Sequence, residues 1–252
     1  MLPVYRFMMR YLGDRLGCAV RLSVGSDYAE ALRADLTLIC GLPYVLRTRP
    51  RAAESPIEAL AAPVLKGERF QNRPIYFSDV IVHRDSRFQS FADLRGCSWA
   101  YNEPESQSGY GITRYHLAKL GATSGYFGRV VASGFHQRSI RMVSRREVDA
   151  SAIDAQVLAI EMRDHPRLAR QIRIIDSLGP STIQPLAAST RLPISLRRDI
   201  QAILAEMHHD PAARAVLDRG MIDHFVPVTD ADYDDIRAML AFCHRADYLE
   251  LR

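Results

Sequence analysis

Short apolar segments alternate with amphipathic segments along most of this 252-residue chain, and that alternation restricts its fold more than any other feature. Runs such as Cys18–Val24, Leu36–Cys40, Cys97–Asn102 and Arg129–Ser133 have the length of β-strands, and helical periodicity follows several of them. Strands and helices in alternation predict an α/β protein with mostly parallel sheets. The chain from Ser195 onward is predicted to be helical.

Two long β-rich segments, Tyr76–His83 and Thr182–Ser189, indicate how the chain is divided. We expect them to be paired crossover strands that join two lobes. The predicted lobe I then consists of residues 1–82 and 184–252, and the predicted lobe II of residues 83–183.

Charge and hydropathy exclude two classes of protein. The formal charge is +4, and basic residues such as Arg6, Arg47 and Arg145 are scattered and do not form one stripe, so no nucleic-acid partner is expected. No run approaches the roughly 20 apolar residues that cross a bilayer. Residues 1–17 predict an amphipathic helix and lack the cleavage site of a signal peptide.

The four cysteines do not form a metal-binding pattern. Cys18, Cys40, Cys97 and Cys243 lie far apart without a C-x-x-C pair, so neither a structural zinc nor a cofactor is predicted. Free thiols are the expected state. A Cys18–Cys40 disulfide is the open alternative, because both residues lie in predicted neighbouring strands.

The segment EPESQSGYGITRYHLAKLG, Glu103–Gly121, places small hydrogen-bonding residues between a strand and a helix. A helix amino terminus has unpaired N–H groups and a partial positive charge, both of which favour an anion. Ser106 and Ser108 add hydroxyl donors, Gly109 allows close approach of the backbone, and Tyr110 is positioned to close over a ligand. These residues predict an oxyanion site, with plain N-capping by either serine as the alternative.

Three further residues follow predicted strands, at the sheet edge where ligands bind in open α/β folds. Tyr44 is either a ligand contact or a packing tyrosine. His136 would add a donor, cationic if protonated, and Asp154 would accept a hydrogen bond from a P–OH group of the ligand. His136 and Asp154 are also imaginable as an acid/base pair, but no nucleophile, base and orienting group stand together, so an enzyme is not predicted.

Four segments of the chain resemble the phosphonate/phosphate/phosphite-binding proteins of bacterial ABC importers: ADLTLICGLPYVL, YNEPESQSGYGITRYHLAKLG, VVASGFHQRSIRMVSRREVDASAIDAQVL and HFVPVTDADYDDIRAM. The resemblance covers nearly the whole chain. It implies the type 2 periplasmic-binding fold, with two lobes joined by two crossover strands and the oxyanion in a cleft. It also implies an ABC permease as partner, a periplasmic location and no enzymatic activity.

The resemblance assigns the family's Ser-x-Ser-Gly-Tyr loop to residues 106–110. Gln107 stands where the family usually has threonine, so a backbone N–H is kept and a hydroxyl is lost. By the same resemblance Tyr44 and Tyr76 are aromatic contacts, and His136 is the histidine of a G-x-H motif. Gln156 occupies the position of an acid that meets the ammonium group of aminophosphonates, which favours an inorganic or simple alkyl oxyanion.

The amino terminus departs from the family, whose members begin with a strand ahead of the first helix. This chain starts at the helix, so we expect the first strand and the leader to be lacking, with weaker stability or a homodimer as the result. An oxyanion-sensing or orphan binding protein is the alternative to transport. A neighbouring permease gene would favour transport, and a neighbouring histidine kinase gene would favour sensing.

Overall fold

A computed structural model describes residues 1–25, 27–48 and 55–251. The chain forms two compact units, each made of two pieces. Unit 1 is Met1–Ile75 with Thr182–Asp234, and unit 2 is Tyr76–Ser181 with Asp235–Arg252. These bounds differ from the predicted lobes mainly at the carboxyl terminus, which had been placed in lobe I and packs with unit 2.

Helices and strands follow one another along the described chain. Their order is α1 (Leu2–Leu16), α2 (Tyr28–Ala31), β1 (Leu36–Leu38), α3 (Gly41–Arg47), β2 (Ile57–Leu65), β3 (Ile75–His83), β4 (Ser98–Tyr101), α4 (Ile112–Lys119), β5 (Arg129–Ala132), α5 (His136–Ser144), β6 (Ala150–Asp154), α6 (Ala155–Asp164), α7 (Pro166–Ala169), β7 (Ile172–Thr182), β8 (Leu186–Ser189), α8 (Ile194–Glu206), α9 (Pro211–Arg219), β9 (Ile222–Pro227) and α10 (Asp234–Arg245). None of the helices in these ranges has the length and hydropathy of a membrane span.

The sheet of unit 1 has the strand order β1-β8-β2-β9, and its neighbouring strands are all antiparallel. The prediction of mostly parallel sheets is therefore wrong for this unit. Helix α1 buries Val4, Met8 and Leu12, which recur every four residues and so share one face of the helix. This spacing confirms the predicted amphipathic helix.

The sheet of unit 2 has the strand order β5-β4-β6-β3-β7. Strand β4 is parallel to β5 and β6, whereas β3 runs antiparallel to β6. The carboxyl ends of β4, β5 and β6 therefore meet at one edge of the sheet, where the loops leading into helices converge. Trp99 of β4 is fully buried and stacks on Phe127 with ring centroids 4.6 Å apart.

Three local predictions need correction. Cys18–Val24 is not a strand: Gly17 ends α1 in a left-handed conformation, the segment pairs with no described strand, and Val24 is 78% exposed. The β-branched residues of this segment are not enough to make it a strand, because strand propensity depends on pairing and burial. The chain beyond Ser195 is not all helical, since β9 completes the sheet of unit 1. The predicted Thr182–Ser189 strand is divided between β7 and β8.

The four cysteines are free thiols, so the Cys18–Cys40 disulfide is absent. Among the described residues, no group of three or more histidine, cysteine, aspartate or glutamate side chains is arranged to hold a metal ion.

Candidate functional site

The Ser/Gly-rich loop after β4 forms a single π-helical turn, Gln107–Gly111, that runs directly into α4. We call it the π turn. Ser106 caps it: the Ser106 Oγ accepts the N–H of Gly109 at 3.1 Å, and the Ser106 carbonyl accepts the N–H of Gly111 at 2.8 Å. The N-capping role is thus confirmed for Ser106. Turns of this width are rare and occur often at functional sites.

Ser108 joins the π turn to the next helix of the unit. The Ser108 Oγ lies 2.8 Å from the Nε2 of His136, the first residue of α5, and 3.4 Å from the Ser106 Oγ. The Ser108 hydroxyl is therefore within hydrogen-bonding reach of both the Ser106 hydroxyl on its own loop and the His136 imidazole at the start of the next helix.

His136 is half-buried, and its Nδ1 is enclosed and has no hydrogen-bond partner within the described part of the chain. Burial lowers the pKa of His136 from 6.5 to about 4, because the charged form loses its hydration. The ring is therefore neutral near neutral pH. His136 can still donate or accept one hydrogen bond at Nε2, but it does not supply a positive charge there.

Asp154 ends β6 and caps α6, and only 5% of it is exposed. Its Oδ1 accepts the N–H groups of Gln156 at 2.8 Å and Val157 at 3.2 Å. Burial, reinforced by the negative charge of Asp79, raises the pKa of Asp154 to about 6 against the opposing effect of the two N–H groups. The carboxylate is therefore ionised at neutral pH at an energetic cost.

The end of β4 fixes the loops that carry these groups. The Asn102 carbonyl accepts the N–H of Gly134 at 2.7 Å, while the Tyr101 carbonyl accepts the N–H of Ser133 at 2.7 Å. A Cβ on Gly109 would lie 1.9 Å from the Asn102 Oδ1. Glycine is thus needed at position 109 for the close approach of Asn102, a contact that the adjacent YNEP sequence did not reveal.

Gln107 and Tyr110, two of the predicted ligand residues, form side-chain hydrogen bonds to other residues of unit 2. The Nε2 of Gln107 donates to the Oγ of Ser181 at 3.1 Å. The Tyr110 hydroxyl accepts the N–H of Leu251 at 3.2 Å, and its ring lies 4.9 Å from that of Tyr101. Both side chains thus make contacts within unit 2, and a ligand role for Gln107 and Tyr110 stays a prediction.

The two remaining tyrosines differ in their surroundings. Tyr44 lies on α3 of unit 1 and is fully buried. Its hydroxyl donates to Asp230 at 3.0 Å and accepts the N–H of Ala59. These contacts favour the alternative that Tyr44 is a packing tyrosine. Tyr76 is the second residue of β3. It is two residues from Ser78, which pairs with Asp154, so Tyr76 lies on the same face of β3 beyond the end of β6. A ligand role for Tyr76 stays a prediction.

The two α/β units have the type 2 periplasmic-binding fold. A sequence model described as the periplasmic substrate-binding protein of phosphonate ABC transporters matches residues 2–233. The chain belongs to this family, and the resemblance drawn from its motifs is confirmed.

Solved structures share the fold at low sequence identity. The binding protein component of a phosphonate ABC transporter from Pseudomonas aeruginosa is 19% identical, with a TM-score of 0.82, over 97% of this chain and 82% of that one. PhnD1 from Prochlorococcus marinus, solved with methylphosphonate, is 16% identical, with a TM-score of 0.80. The match covers 98% of this chain and 93% of PhnD1. A Xanthomonas citri protein solved with ATP is 18% identical, with a TM-score of 0.65, over 96% and 94%.

Proposed function

We propose that this protein binds a phosphorus oxyanion, either phosphonate, phosphate or phosphite, and delivers it in the periplasm to the permease of an ABC importer. Membership in the phosphonate-binding family supports the transport role. The observation that carries the choice of site is the Ser106, Ser108 and His136 arrangement at the π turn.

The geometry of Ser108 suits an anion when the histidine tautomer is fixed. If the His136 Nε2 carries the proton, it donates to the Ser108 Oγ, and the serine hydroxyl is then free to donate to an oxyanion. The Ser108 N–H and the positive end of the helix that continues from the π turn add to the attraction. A neutral imidazole therefore acts by orienting the hydroxyl.

Asp154 supplies the selectivity in this proposal. Its Oδ2 is a hydrogen-bond acceptor, so it favours a ligand that keeps a P–OH proton over fully ionised sulfate. The methylphosphonate complex of PhnD1 gives a precedent for such a ligand in the same fold. Gln156 stands where aminophosphonate binders of the family have an acid, so we propose a ligand without an ammonium group.

We further propose that binding involves no chemical step. Ser108 and His136 have the 2.8 Å separation of a nucleophile and its base. A histidine with a pKa of about 4, however, is a weak base near neutral pH. The His136 Nδ1 also lacks the carboxylate that usually orients a catalytic histidine, as far as the described residues extend.

Thermal unfolding tests the proposal directly. In phosphate-free buffer, methylphosphonate, phosphite or phosphate at about a hundred times its dissociation constant should stabilise the protein by about 2.7 kcal/mol, which raises the midpoint by several degrees. Sulfate should produce no shift at the same concentration. If none of the phosphorus oxyanions shifts the midpoint, the proposed function is refuted, and a shift with sulfate would refute the role of Asp154.

A further inference from the structure

The carboxyl-terminal residues of unit 2 are bound to the helix that carries the π turn. We call residues 246–251, which follow α10, the C-terminal segment. The Leu251 N–H donates to the Tyr110 hydroxyl at 3.2 Å, and the Arg114 Nη1 donates to the Leu249 carbonyl at 2.6 Å. Tyr248 is fully buried and Leu251 nearly so, both in one core with Tyr110.

Arg114 makes this attachment unusual. Its side chain is on the first turn of α4, the residue is only 7% exposed, and among the described residues no carboxylate forms an ion pair with it. Its guanidinium lies 5.6 Å from the ring centroid of Tyr110. A buried arginine is costly unless its donors find acceptors, so its hydrogen bond to the Leu249 carbonyl favours the attached position of the C-terminal segment.

The π turn needs such support because its wide register is less favourable than an α-helical one. Strained backbone persists only where its surroundings determine it. The turn is held at Gln107, which donates to Ser181 and also to the Met239 Sδ of α10 at 3.3 Å, and at Tyr110 by the C-terminal segment. Two of these three supports belong to α10 and the segment that follows it.

We propose that the C-terminal segment sets the register of the π turn, and that Tyr110 and Arg114 are positioning residues for oxyanion binding. Loss of one residue from the turn would rotate the preceding residues by about 100° about the helix axis. The 2.8 Å contact between Ser108 and His136 would then break. The segment thus controls affinity without touching the ligand; this inference rests on the proposed function.

The test compares Tyr110→Phe with Tyr115→Phe. The first change removes the acceptor of the Leu251 N–H, and the second removes a hydroxyl on the same helix that has no part in the attachment. Affinity for methylphosphonate is measured by calorimetry, and amide hydrogen exchange of the π turn is measured without ligand. For Tyr110→Phe we expect about tenfold weaker binding and about tenfold faster exchange at the Gly111 amide. Tyr115→Phe should match the wild type in both.

Leu251→Pro provides a second variant because it deletes the donating N–H and keeps the Tyr110 hydroxyl. If both act through one hydrogen bond, the double variant should bind no more weakly than Leu251→Pro alone. Unchanged exchange at the π turn in Tyr110→Phe would overturn the inference. Should the wild type bind no methylphosphonate, the proposed function would fail for that ligand, while the exchange comparison would still decide the role of the segment.

Discussion

Replacing Asp154 with asparagine is expected to stabilise the protein by about 2 to 3 kcal/mol near pH 8, raising the melting temperature by roughly 5 to 10 °C. The reason is the cost of an ionised carboxylate in a buried site, where the pKa rises from 3.8 to about 6. Asparagine removes that charge but keeps the oxygen that accepts the Gln156 and Val157 N–H groups, so the cap of α6 survives. Chemical unfolding measures the gain.

The gain should depend on pH in a defined direction. Because the folded-state pKa of Asp154 lies above its usual value, the folded state holds a proton between about pH 3.8 and 6 that the unfolded state has lost. The cost is complete above that window and absent below it. The stabilisation by Asp154→Asn should therefore fall to about half near pH 5.

Asp164→Asn is the matched control, because Asp164 lies at the other end of α6 and is exposed. A hydrogen bond from Arg163 lowers the pKa of Asp164, so its removal should bring no stabilisation. An equal gain from Asp154→Asn near pH 8 and near pH 5 would contradict the buried-charge explanation. A loss of stability in Asp154→Asn at both pH values would also contradict it.

His136 makes the folding stability depend on pH in the opposite direction to Asp154. Its folded-state pKa of about 4 lies below the usual 6.5, so folding releases a proton within that window, and stability is lost as pH falls through it. The effects of His136 and Asp154 oppose one another between about pH 4 and 6. Asp154→Asn leaves the histidine effect unopposed, which should make the variant's own stability fall more steeply with acid than that of the wild type.

Replacing Ser108 with alanine is expected to weaken methylphosphonate binding by about 10- to 100-fold, the range for a lost hydrogen bond to a charged ligand. The change also leaves the His136 Nε2 without its Ser108 partner, so a stability cost of about 1 to 3 kcal/mol should accompany it. Calorimetry at a temperature well below the melting point of the variant separates the two effects.

Ser144→Ala controls for the loss of a serine hydrogen bond elsewhere in unit 2. The Ser144 Oγ donates to the Arg141 carbonyl at 2.9 Å, at the opposite end of α5 from His136. Its affinity for methylphosphonate should equal that of the wild type. Equal affinities for Ser108→Ala, Ser144→Ala and the wild type would show that the serine hydroxyl takes no part in binding.

Secondary structure in unit 2 could be predicted from the sequence where it depends on short stretches of chain. Strand β4 was predicted nearly to the residue, since apolar alternation is a local signal. The convergence of His136 and Ser108 followed from parallel strands whose carboxyl ends share an edge. The unit 1 sheet was misjudged because antiparallel partners such as β2 and β9 come from distant parts of the sequence.

The side chains of the π turn show what the sequence could not supply. Gln107 and Tyr110 occupy motif positions, but the spacing of a motif does not predict which way its side chains point. Their partners Ser181, Met239 and Leu251 are 74 to 141 residues away, so no local pattern identifies them. The wide register of the turn itself depends on these distant contacts, and serine and glycine composition predicts only an ordinary cap.

The division of unit 2 into two pieces also fixes the order in which a ribosome can complete the protein. Every residue of unit 1 has been synthesised once Asp234 is made, whereas unit 2 still lacks α10 and the C-terminal segment at that point. Domains generally fold as units during synthesis. Ser106 and Ser108 are thus made well before Met239 and Leu251, which hold Gln107 and Tyr110, so a nascent chain reaches the final geometry of the π turn only after α10 and the C-terminal segment have been made.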